Sequence, residues 1–193
     1  MYARISAVIL LILAIILPVK AFAIDAPVSS GSSSRDQRLT SAVSDQHLVL
    51  DDAKRALLVQ KCENAQSALM KIQEKADKTA ELRTNTYGTF QKELQGIKLR
   101  MARQGVDASE IDLLIGKIQQ GLDSFTLAAD AYGTSLDDVI SVDCTQKTEQ
   151  FQAGLIVLRK QRANLLVAAN NLTKIMEAAK QNTFSQLKKR LTV

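Results

Sequence analysis

The side chains in this sequence best suited to chemistry are its two cysteines, Cys62 and Cys144, and the chemistry they offer is oxidative pairing. Cys62 lies 43 residues before Gly105 and Cys144 lies 39 after it. If Gly105 marks the apex of a helical hairpin, the two positions return to nearly one height, with a four-residue mismatch of about 6 Å along the axes. A disulfide needs Cα atoms within ~7 Å, so two unbroken helices leave little room. An extended Ser141-Val142-Asp143-Cys144, gaining ~1.8 Å per residue over helix, removes much of the mismatch. The spacing therefore predicts a Cys62–Cys144 bridge beside the second turn, with two buried free thiols as the alternative. Closing so long a loop would stabilise by roughly 4 kcal/mol in the chain-entropy picture.

Little else in the sequence resembles a reactive site. His47 is the single imidazole, and no sequence feature places a nucleophile beside it for a Ser–His or Cys–His dyad. Zinc ligation would need more Cys and His. The pairs Asp137-Asp138 and Asp107/Glu110 lack a metal-binding loop and read as solvated helix face and helix cap. No glycine-rich phosphate cradle occurs. These readings predict no enzyme, no cofactor, no metal and no small-molecule substrate. A candidate basic face comprises Arg159, Lys160 and Arg162 with Lys188, Lys189 and Arg190. Tyr87, Phe90, Phe125, Tyr132, Phe151 and Phe184 sit at core spacing rather than as a base-stacking set, which argues against nucleic acid as a partner.

The N-terminus says where such a bridge would form. Arg4 precedes Ile5–Leu17, apolar apart from Ser6, and Pro18 leads to Ala21-Phe22-Ala23. This is the layout of a secretory signal peptide cleaved after Ala23. The run is short of the ~20 apolar residues a spanning helix needs, so membrane contact is expected only through an uncleaved signal. Export to the periplasm, cell surface or extracellular space permits disulfides. Loss of Arg4 and Lys20 would lower the formal charge from +5 to +3, too little to imply a polyanion partner.

The elements that must position the cysteines follow from periodicity. Residues 24–43, with Val28-Ser29-Ser30-Gly31-Ser32-Ser33-Ser34, read as a disordered Ser-rich tether. Both prolines, Pro18 and Pro27, precede residue 28, so long helices can run unbroken through the rest. Leu58, Cys62, Ala65, Leu69, Ile72, Ala76 and Thr79, then Thr86, Phe90, Leu94, Ile97 and Met101, give a heptad-like seam. A second seam runs from Ile111 through Ile118, Phe125 and Tyr132 to Val139, and a third from Phe151 through Leu158 and Leu165 to Met176. Gly105 suits the left-handed residue after a helix end, and Asp107 with Glu110 reads as a capping box. The expected fold is all-α: an elongated antiparallel three-helix bundle, or coiled-coil hairpin, stapled by one disulfide. Its helices span about residues 44–104, 107–140 and 145–191. Gly105–Cys144 holds eight acids and one base, and the last segment nine bases and two acids. Pairing between those segments is expected to set neighbours.

Function is less legible than shape. The features suit a non-enzymatic structural or protein-binding module of the envelope or extracellular space, joined to another protein or to itself. In signal peptide, size and long charged helices the chain resembles periplasmic holdase chaperones of the Skp type. That resemblance implies binding of unfolded clients, but this sequence lacks the β-strand platform on which such chaperones trimerise. It also resembles, from Ser44 to Leu191, small exported bacterial helical bundles with one long-range disulfide, chiefly at Cys62, Gly105-Val106-Asp107 and Asp143-Cys144. Recognition of an anionic polymer by the basic face is a third reading.

Overall fold

A computed structural model describes residues 32–47 and 49–191, with side chains from Ser34 through Gln181 except that of Leu48. The predicted signal peptide, the first part of the predicted tether and the side chains of Lys188, Lys189 and Arg190 lie outside the described residues. All regular structure within them is helical: α1 (Ser32–Asp45), α2 (Asp52–Arg103), α3 (Ser109–Ile140) and α4 (Thr148–Leu191).

Two corrections follow. The described helices number four rather than three, and Ser32–Asp45 is helix rather than tether. The apolar content that orders α1 is sparse but well placed, since Leu39 and Ala42 fall one turn apart on one face and are both buried. The long first helix also starts later than expected. The chain leaves α1 through His47, at φ 47°, and α2 begins after Asp51, whose side chain accepts from the Lys54 N–H at 2.8 Å.

Gly105 takes the left-handed conformation the sequence predicts, at φ +67°. The Val106 N–H reaches back to the Met101 carbonyl at 2.9 Å and closes the end of α2. The capping box does not form as expected. Ala108 occupies the N-cap with no side-chain cap bond, while Asp107 accepts from the N–H and hydroxyl of Ser109. The helix thus starts one residue later than the Asp107 reading requires, and Glu110 sits in its first turn as an exposed acid favourable to the helix dipole.

Helix α3 is the spine. It packs along both α2 and α4, which touch each other at only a few positions. Burial reflects this: α3 buries a row from Ile111 to Val139, whereas the 52 residues of α2, roughly 78 Å long, bury only Cys62 and Leu94. The interior divides into two clusters. One surrounds the cysteines with Leu39, Tyr132, Leu136, Val139, Phe151 and Leu158. The other lies toward the Gly105 turn with Leu94, Ile111, Ile118, Leu122, Phe125 and Leu172. Leu165 packs against both. At Gly121 the approach of α4 is close, since a Cβ there would meet Leu172 Cδ1 at 2.9 Å.

Candidate functional site: the disulfide junction

Cys62 and Cys144 are disulfide-bonded, with Cα atoms 5.8 Å apart. The segment between α3 and α4 brings Cys144 there as a compact turn and not as the expected extended run. The Val142 N–H donates to Val139 O. Asp143 then accepts from the Thr145 hydroxyl at 2.7 Å and from the Thr145 and Gln146 N–H groups. These donors, the Thr145 hydroxyl foremost, hold the Asp143 carboxyl below its usual range. One turn beyond Cys62, Gln66 reaches across from α2 and donates from Nε2 to Val139 O at 3.2 Å and Val142 O at 2.8 Å. Val139 lies in the last turn of α3 and Val142 just beyond it, where backbone carbonyls lack the usual intrahelical partner, and Val139 O takes the glutamine beside its turn bond from Val142. Disulfide and glutamine together clamp α2 to the end of α3.

Helix α1 docks on the same junction. Asp138, read from sequence as solvated, is buried. Arg38 of α1 grips it with both arms of the guanidinium: Nε donates to Oδ2 at 2.8 Å and Nη2 to Oδ1 at 2.6 Å. Arg35 stands 3.9 Å from the same carboxylate. The bidentate bond to Asp138 raises the Arg38 pKa further. Around this pair Lys147 Nζ meets Asp36 at 2.8 Å, Gln150 Nε2 donates to Thr40 Oγ1 at 3.2 Å, and Gln46 Nε2 donates to Ala153 O at 3.4 Å. Leu39 fills the remaining gap. Gly154 makes room for it, because a Cβ there would lie 2.7 Å from Val139 Cγ2 and 3.1 Å from Leu39 Cδ2.

The acidic α3 therefore finds its cations in α1 and α2, through Arg38, Arg35 and the Lys98–Asp112 pair, while Asp137 accepts from Gln73. Among the described residues no ion pair joins α3 to α4, which corrects the pairing expected from the charge blocks. The reason is rotational: successive residues turn 100° on a helix, so a block of charge spreads around the cylinder. The candidate basic face disperses likewise. Arg159, Lys160 and Arg162 are exposed but span roughly 160° of α4. Lys160 lines a shallow cleft beside Arg38, Ala42 and Asp45 of α1. Arg162 lies near Tyr132, whose burial raises its pKa while the arginine opposes this. The backbone of Lys188 is a further ~39 Å along α4 from Arg162. Helix geometry does not gather Arg159, Lys160 and Arg162 onto one narrow face.

His47 is an exposed turn residue. Among the described residues no group of three or more His, Cys, Asp or Glu could hold a metal ion, and no helix is long and apolar enough to cross a membrane. Large apolar side chains remain in solvent along α2, with Leu57, Met70, Leu82 and Leu99 about half exposed. Searches against protein-family models, curated proteins and solved structures find no match to this chain.

The sequence pointed to the disulfide but missed the arginine clamp. Its signal was present: Arg35, Arg38, Leu39 and Ala42 repeat at helical spacing, and Asp138 precedes Cys144 by under two turns.

Proposed function

We propose that this chain is an exported, non-enzymatic helical module of the cell envelope or extracellular space that works by binding protein. The observation that carries the reading is the under-used helix α2. It spans 52 residues, buries two of them, and holds Leu57, Met70, Leu82 and Leu99 half in water. A helix clamped at one end by a disulfide and open along its flank presents a fixed surface to a partner. The disulfide supports an oxidising compartment. The same exposed apolar side chains favour the holdase reading second, because unfolded clients are held through such contacts.

The test is site-specific photo-crosslinking in the producing cell from positions 82 and 99, with position 113 on α3 as comparison, together with the intact mass of the recovered chain. The reading expects a chain that begins at Ile24, lacks two hydrogens, and forms a discrete protein adduct from α2. A smear of many adducts, with suppressed aggregation of unfolded clients in vitro, would favour the holdase. A reduced, uncleaved chain without α2 adducts would overturn both.

A further inference from the structure

We infer that copies of this chain associate head to tail, the outer face of α3 in one packing on the outer face of α4 in the next. This goes beyond the binding reading above, which rests on α2, because it uses two other faces and names a second copy as what covers them.

The faces are defined by position along each helix. On α3, Leu113 and Leu127 lie two residues after buried Ile111 and Phe125, and Asp123 and Asp130 lie two before buried Phe125 and Tyr132. On α4, Lys160 and Lys174 lie two residues after buried Leu158 and Leu172, and Ile156 and Val167 lie two before buried Leu158 and Ala169. Two residues are about 200° of helix, so each set stands opposite the buried row of its own helix. All eight side chains are exposed. Leu113 and Leu127 are 69% and 73% exposed, more than any described large apolar side chain of α2 or α4.

The two sets are complementary. Each has two apolar side chains and two charges, acidic on α3 and basic on α4. Their lengths match, at roughly 26 Å from Leu113 to Asp130 and roughly 27 Å from Ile156 to Lys174. The sign holds along each helix, since Lys117 is the only base of α3 and no acid occurs between Glu149 and Glu177 of α4. Among the described residues no ion pair involves Asp123, Asp130, Lys160 or Lys174. Acidic and basic blocks that do not meet within one chain can therefore meet between two, over apolar contacts that neither face makes alone. Because the two faces belong to different helices, the contact is heterologous, and association continues past the dimer or closes into a ring.

Sedimentation of the oxidised, exported chain across a concentration series tests this. The wild-type chain is expected to exceed monomer mass at high concentration and to return toward it as salt is raised. D123K/D130K and K160E/K174E each give both faces the same sign, and each is expected to associate at least ~10-fold more weakly with helicity and the disulfide unchanged. All four substitutions in one chain exchange the two signs and are expected to restore association, as is mixing the two single-face variants. Monomer mass at every concentration overturns the proposal. So does association that survives single-face reversal, or that the quadruple variant fails to regain.

Photo-crosslinking from position 113 separates this outcome from the α2 reading. An adduct of two copies is expected there, whereas an adduct with another protein removes the second copy as the partner. Neither result depends on adducts from positions 82 and 99.

Discussion

The two ends of the molecule are held by different physics. Around Gly105 the cluster of Leu94, Ile111, Ile118, Leu122, Phe125 and Leu172 is almost wholly apolar, and one turn with a left-handed glycine joins its helices. Around the cysteines, α1 adds a fourth helix, and a disulfide, a buried carboxylate and the side-chain amide of Gln66 share the task with Phe151, Val139 and Leu39. Apolar packing tolerates exchange of one side chain for another of similar volume, whereas a covalent bond and a bidentate ion pair admit only their own partners. The end that receives α1 and begins α4 is thus the specified one, and the far end is the generic one.

The largest effect expected from breaking that difference is at the cysteines. Replacing both Cys62 and Cys144 by serine releases a cross-link between residues 82 apart in sequence and should cost about 4 kcal/mol in urea unfolding. A loss below ~1 kcal/mol would show that the packing alone sets the register. At the other end, Leu94→Ala removes a side chain that is 2% exposed and should cost ~3 kcal/mol with no change in the docking of α1. Next, Asp138→Ala leaves Arg35 and Arg38 without their carboxylate. Because the Arg38 side chain is 48% exposed and can return to water, the loss should be about 2 kcal/mol, less than for a fully buried pair. Cleavage by a protease within residues 46–51 should accelerate, while the Gly105 end keeps its amide protection.

The smallest effect is electrostatic and confined to the start of α4. Asp143 in the folded chain has a lowered pKa, first through the Thr145 hydroxyl. Its contribution is therefore present above the unfolded carboxylate value of about 3.9 and fades as pH falls through the lower folded one. The amide signals of Thr145 and Gln146 should titrate below the ordinary aspartate range, and Asp143→Asn should abolish that step. A midpoint at or above the ordinary value would remove the proposed cap.

The same contrast explains what could be read from sequence. The far end was legible because apolar packing writes a period of three and four, and because only Gly105 among its neighbours suits a positive φ. The three long helices span residues 52–103, 109–140 and 148–191, the first starting eight residues later than its seam suggests. The cysteine pairing followed from nearly equal arm lengths, 43 and 39 residues on either side of Gly105. The specified end was harder. Helix α1 hides in a Ser-rich context because only Leu39 and Ala42 are apolar and buried, so composition alone suggested a tether. Asp138 looked like an acid of a solvated helix face, since burial beside a distant arginine leaves no local mark. The acidic and basic blocks misled for the same reason: block charge says nothing of which face each side chain occupies. Gln66 could be read only after the cysteines had fixed which carbonyls it faces.

Hydrogen exchange of the exported chain, oxidised against reduced, tests the two-ended account most directly. The account predicts that reduction lowers amide protection around Cys62, Gln66 and residues 136–154, and loosens α1, while residues around Leu94, Ile118 and Leu172 keep theirs. A uniform loss along all four helices, or none anywhere, would contradict it.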